Sequence, residues 1–134
     1  MSNDVLMSIK PRFSQAILSR EKVFEFRLRG FKRSPSQVFI YETAPTKGIV
    51  GMFTVSKVLR DRPEKLWEEC KVGSGLEREE FDAYFAGRDS GVALVIGEAR
   101  RFPTLIPLAD VGVSSPPQSY QWLTLSVDIG EENE

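Results

Sequence analysis

Residues 21–33, EKVFEFRLRGFKR, lay two patterns over one another. Phe24, Phe26 and Leu28 alternate as the buried face of a β-strand does, while Glu25, Arg27 and Arg29 alternate on the opposite face. Side chains at i and i+2 share a face, so Glu25 and Arg27 fall within reach of each other. A fully solvated pair of this kind contributes only about 0–1 kcal/mol. In a cleft, the carboxylate instead fixes the guanidinium fork in one rotamer, ready for a phosphate or a base edge. The stretch reads as a central strand, with Lys22 at its mouth and Lys32 and Arg33 just beyond.

On the N-terminal side, residues 5–10 predict a first strand, and Pro11 opens a short helix that runs to about Ser19. On the C-terminal side, Gly30 and the polar loop 32–36 close the second strand, and residues 38–41 form a third. Residues 49–59 alternate as a long fourth strand, in which Gly51 marks a bend or a close backbone approach. Two helices follow, PEKLWEEC from Pro63 and LEREEFDAYFAG from Leu76, separated by VGSG. A fifth strand spans 92–100, RFPTLIPLADVG and SSPP read as irregular, and residues 120–127 form a last strand. The order predicts an α+β chain: a small β-barrel of about six mixed or antiparallel strands, with two to four short helices flanking a cleft. One domain is expected over residues 1–127, with a frayed acidic tail at 128–134.

Composition narrows the chemistry. There is no histidine, which removes Ser-His-Asp and Cys-His activation, imidazole general bases and His-rich metal sites together. Cys70 stands alone, which excludes an internal disulfide and a cysteine-based zinc site; it reads as a small hydrophobe on a helix. The opening MSNDVLMSIK lacks a charged-then-apolar signal, and no apolar run approaches the ~18 residues of a membrane span, so a cytoplasmic location without a membrane partner is expected. No cofactor is called for. The net charge of −1 hides an uneven distribution: residues 10–33 hold eight basic and two acidic side chains, whereas residues 61–89 hold nine acidic and five basic. The first segment is a candidate phosphate footprint in a chain that is not basic as a whole.

Three further groups are candidates. Lys10 and Lys22 end one strand and open the next, so they are expected to be neighbours, forming an anion site and lowering each other's pKa. Ser74, in the GSG of residues 73–75, offers backbone N–H groups toward a phosphate, against the plainer reading of a flexible connection. In PPQSYQWL, Gln118 and Ser119 follow a rigid Pro-Pro and are placed to hydrogen-bond a base; Tyr41, Tyr120 and Trp122 are candidate stacking faces, against the plainer reading of Trp122 as core of the last strand. Glu77, Glu79, Glu80 and Asp82 form the densest carboxylate group, but they read as the solvated face of an amphipathic helix, and no metal site is assigned.

SIKP (8–11), SREKVFEFR (19–27), VFIYETAP (38–45), KGIVGMF (47–53), LWEECKVGSGL (66–76), EEFDAYFAG (79–87) and PPQSYQWL (116–123) together resemble the ASCH-domain family of the PUA-like superfamily. The likeness runs over nearly the whole chain. It implies a small β-barrel that binds RNA or a modified nucleoside in a cleft rimmed by the E-K-x-x-E-x-R strand. Some members are ribonucleases, and one branch hydrolyses N4-acetylcytidine with a lysine, a threonine three residues later, and an arginine. Lys22 and Arg27 match that pattern, but Glu25 stands in the threonine's place. The leading expectation is an RNA- or modified-nucleoside-binding module using Lys10, Lys22, Glu25, Arg27, Tyr41, Ser74, Gln118 and Ser119. A hydrolase with Lys22 as base and Glu25 in support is the alternative. A regulatory domain meeting a protein partner is the third reading.

Overall fold

Pro11 and Pro63 each occupy the first helical position, where the missing N–H costs nothing, and each helix starts there. The computed structural model describes residues 3–124. Its elements are β1 (Asp4–Ile9), α1 (Pro11–Leu18), β2 (Phe24–Arg27), β3 (Gln37–Glu42), β4 (Gly48–Asp61), α2 (Pro63–Cys70), α3 (Arg78–Tyr84), β5 (Gly91–Ile106) and β6 (Tyr120–Trp122), with a 3₁₀ turn at Leu108–Val111. The strands form one mixed sheet in the order β2-β5-β4-β3-β1-β6. β1 and β3 pair in parallel, which the intervening helix and strand make possible, and the remaining pairs are antiparallel. The architecture is therefore α+β, as expected.

The sheet curls until its two ends meet. Arg27 on β2, at one end of the strand order, donates from Nη1 to Ser119 Oγ at 3.0 Å and from Nη2 to the Ser8 carbonyl at 3.3 Å, at the other end. Register shifts near Gly51, Val55 and Lys57 on β4 supply the local bending. A Cβ at Gly51 would sit 2.9 Å from Leu18 Cδ2 and 3.2 Å from the Arg101 Cα, so this glycine marks a close approach as well as a bend.

Three expectations are corrected. β2 is an edge strand of four residues, not a central one. Pairing with β5 ends at Arg27–Val92, and β5 begins at Gly91, so no β5 residue faces Arg29, which is exposed to solvent. RFPTLI is not irregular: β5 runs on to Ile106, and Pro103 falls where the register jumps from Gly51–Arg101 to Ile49–Ile106, so its lack of an N–H breaks no ladder pair. The expected continuation of the last strand to residue 127 and the acidic tail lie outside the described residues. Among the described residues, no helix is long and apolar enough to cross a membrane.

β1 and β3 are buried on both faces, which is why they read as continuous apolar runs. Val5, Met7, Val38 and Ile40 pack with Phe53 and Leu94 on one side; Leu6 and Phe39 pack with Ile49 and Phe102 on the other. A third cluster docks α2 and α3 on β2 through Phe26, Leu66, Cys70, Phe81 and Phe85. Burial pushes the Cys70 thiol up to about 11, so it stays protonated and acts as packing. Phe81 is the hub, with its ring 5.2 Å from Phe26, 4.8 Å from Phe85 and 5.0 Å from Trp67. Phe81→Ala should therefore lower the unfolding free energy by about 3–5 kcal/mol in urea titrations; a loss under 1 kcal/mol would mean α3 is not anchored as described.

Candidate functional site

A cleft of about 270 Å³ opens between the C-terminal end of β1, helix α1, strand β2 and helix α3. Lys10, Lys22, Glu25, Arg27, Glu80 and Tyr84 supply its polar groups, and Phe13, Phe26 and Leu76 much of its apolar wall. Glu25 is 7% exposed, and its Oε2 accepts from Arg27 Nη2 at 2.9 Å. With three acceptors around its two terminal nitrogens, the Arg27 fork is held in one orientation, and its buried Nε–H has no protein acceptor. At this depth the pair is not the weak surface contact of an exposed strand. Removing one partner alone would strand the other charge at a cost of about 3–5 kcal/mol.

Lys22 lies deepest, at 2% exposure. Its ammonium donates to the Ser74 carbonyl at 2.6 Å and lies 5.0 Å and 5.3 Å from the ring centres of Phe26 and Phe13. Burial lowers its pKa, and the neighbouring Glu25 carboxylate opposes that shift. The cause is desolvation, with Arg12 and Arg27 adding to it, rather than the Lys10 charge anticipated from sequence. The GSG loop is shaped around this side chain. Gly75 has φ +76°, and a Cβ there would meet the Lys22 stem at 2.9 Å. Ser74 is buried, and its hydroxyl accepts from the Leu76 N–H at 3.1 Å, so it serves the cleft through Lys22.

Of the remaining expected residues, Lys10 is exposed at the rim and Ser119 meets the cleft through Arg27. Gln118 is exposed and does not line the cleft. Tyr41 is 5% exposed and packs in the cluster on the other side of the sheet with Phe39 and Phe102, so it offers no stacking face there. Sequence reasoning missed Phe13, Glu80 and Tyr84. Glu80 is not merely a solvated helix residue. Its side chain accepts from the Glu77 N–H at 2.9 Å, closing a capping box, and takes a bidentate pair from Arg12 of α1. Arg12 holds the Glu80 carboxyl down to about 2. Asp82 pairs with Arg78, and the Glu77 side chain caps α3, so these carboxylates are engaged along the helix. The Tyr84 hydroxyl donates to the Phe26 carbonyl at 3.2 Å, and burial raises its pKa.

No family model matches the chain. It aligns at 27% identity over 124 residues with an ASCH domain-containing ribonuclease of Zymomonas mobilis, covering 90% of this chain and 84% of that protein. The crystal structure of ASCH from Zymomonas mobilis matches the fold with a TM-score of 0.81 at 25% identity, over 90% of this chain and 87% of that one. In sequence and fold the chain is similar to ASCH-domain proteins. A further relative is large ribosomal subunit protein uL22 of Ureaplasma parvum, 26% identical over 126 residues; the match covers 89% of this chain but only 39% of the length of that protein.

Two measurements check the electrostatics of this cleft. The Glu80 carboxyl should titrate near 2 by NMR and move toward the ordinary 4.5 in Arg12→Ala; an unchanged value would dissolve the bridge between α1 and α3. For Lys22, the unfolded chain binds a proton that the folded chain releases between its lowered pKa and 10.5. Wild-type stability relative to Lys22→Met should therefore rise with pH through that window. Parallel Tm curves would refute the lowered pKa.

Proposed function

We propose that this domain binds RNA or a modified nucleoside with a nucleobase seated in the cleft. The observation that carries the reading is the Glu25–Arg27 pair, fixed and nearly buried on the wall of a concave site that also holds Lys22. The cleft is mixed in charge rather than uniformly positive: Lys10, Lys22 and Arg27 face Glu25 and Glu80. Two carboxylates repel a bare phosphate but accept from the amino and imino edges of a base, while Arg27 and Lys22 donate to base oxygens. Phe13, Phe26 and Leu76 provide the apolar contact a base requires. The volume lies just below the usual range of about 300–1,000 Å³ for small-molecule pockets, which favours one base over a longer segment. The ribonuclease relative supports RNA as the ligand class.

Titration of fluorescent single-stranded RNA and of free nucleosides, N4-acetylcytidine included, tests this. The double variant Glu25→Gln/Arg27→Ala leaves no orphaned carboxylate. Each charge-assisted hydrogen bond is worth about 1.5–3 kcal/mol, so binding should weaken about tenfold or more. Lys22→Met should do the same, and Lys57→Ala on β4 should not. Equal affinity in all four proteins would defeat the proposal.

A second reading, hydrolysis of RNA or of an acylated nucleoside, is favoured by one observation: Lys22, with its pKa lowered by burial, shares the cleft with Glu25. Incubation with labelled RNA and with N4-acetylcytidine discriminates the two. Turnover that disappears in Lys22→Met would establish a lysine base; binding without turnover would leave the module as a reader.

A further inference from the structure

The loop after β2 gathers more positive charge than the cleft uses. Residues 27–33, RLRGFKR, contain four cations and no carboxylate. Two more arrive from elsewhere in the fold. The Arg60 guanidinium from β4 lies against Gly30, where any Cβ would collide with it, and Arg88 Nη2 after α3 donates to the Leu28 carbonyl at 3.4 Å. Among the described residues, Arg29, Lys32, Arg60 and Arg88 form no ion pair, whereas Arg12, Arg27 and Arg78 are all neutralised by carboxylates. Asp61 and Asp89 adjoin Arg60 and Arg88 in sequence and temper the patch without pairing with it.

Beside these cations stands an aromatic group outside the cleft. The Phe31 ring packs 4.6 Å from Tyr120 and 6.4 Å from Trp122, and the Arg33 guanidinium stacks 3.7 Å above the indole. All three rings are half-buried on the edge strand β6 and the loop that meets it. Tyr120 directly follows Ser119, whose hydroxyl binds Arg27, so the group continues the wall of the cleft.

We infer that this basic and aromatic ridge, formed by loop 28–33 with β6, carries the single-stranded RNA that flanks the base in the cleft. This rests on the cleft reading above, and it makes the ligand a nucleotide within a strand rather than a free nucleoside. The division of labour follows from charge. The mixed cleft takes a base, and the unpaired arginines and lysine take the neighbouring phosphates. An adjacent unpaired base stacks on Tyr120 or on the Arg33–Trp122 pair, as aromatic and guanidinium planes do in single-strand binding.

The test compares wild type, the ridge variant Arg29→Ala/Lys32→Ala/Arg60→Ala, and the cleft variant Glu25→Gln/Arg27→Ala. The probes are a single-stranded RNA of about a dozen nucleotides and the free nucleosides. The three ridge substitutions are at exposed positions, and their Tm should match wild type. The ridge variant should bind the oligonucleotide at least tenfold more weakly. Its slope of log affinity against log salt should fall by about two, from about 0.7 for each lost phosphate contact on a single strand. Any binding of free nucleosides should be unchanged. Unaltered oligonucleotide affinity and salt slope in the ridge variant would overturn the inference, as would an equal loss for free nucleosides. If the cleft variant instead binds everything as wild type does while the ridge variant fails, the cleft reading falls and the ridge stands as a strand-binding surface by itself.

Discussion

Strand β2 is hydrogen-bonded to β5 alone, and its free side faces the opposite end of a curled sheet across a gap with no backbone ladder. The Arg27 side chain bridges that gap, with Glu25 on its own strand, the Ser8 carbonyl on β1 and the Ser119 hydroxyl beside β6. A barrel closed entirely by backbone pairing would have no opening at this place. Closing it with one guanidinium leaves room for a concave site and lines that site with the group that makes the closure. Fold and candidate function thus share the same atoms, and the near burial of both charges follows from their position in the seam.

Lys22 belongs to the same arrangement but stands on the other side of the energy balance. Removing an ammonium from water costs several kcal/mol, and one carbonyl with two aromatic faces only partly offsets this. A methionine of similar length would pack there without that penalty. A cation kept where the fold gains little from it is a residue to examine for chemistry, and its lowered pKa moves it toward the range in which a lysine can exchange protons.

Much of the fold was legible because local chemistry and tertiary outcome agree. Pro11 and Pro63 begin helices, and the alternating Glu25 and Arg27 share a face, as their spacing requires. The failures have separate physical origins. The alternation of β2 continues to Arg29 in sequence, but β5 has no residue opposite position 29. Pro103 looked like a strand breaker because the register jump that accommodates it depends on β4. Tyr41 sits on a strand buried on both sides, where alternation cannot tell which side faces a cleft. Glu80 was hidden because its partner, Arg12, is 68 residues away in sequence. The local part of its role, the capping box with Glu77, was obscured by an acidic cap residue in place of serine or threonine.

The left-handed turn at Gly75 ties two distant positions into one unit of change. Its missing side chain is the space that the aliphatic stem of Lys22 occupies. A larger residue at 75 would be refused twice, by its backbone angle and by that stem. Shortening position 22 would remove the Cγ and Cδ contacts but leave its Cβ 3.0 Å away and the backbone angle unchanged. The glycine is therefore required by its own backbone angle and by the stem of residue 22 together, so the loop and the buried cation are shaped as one corner.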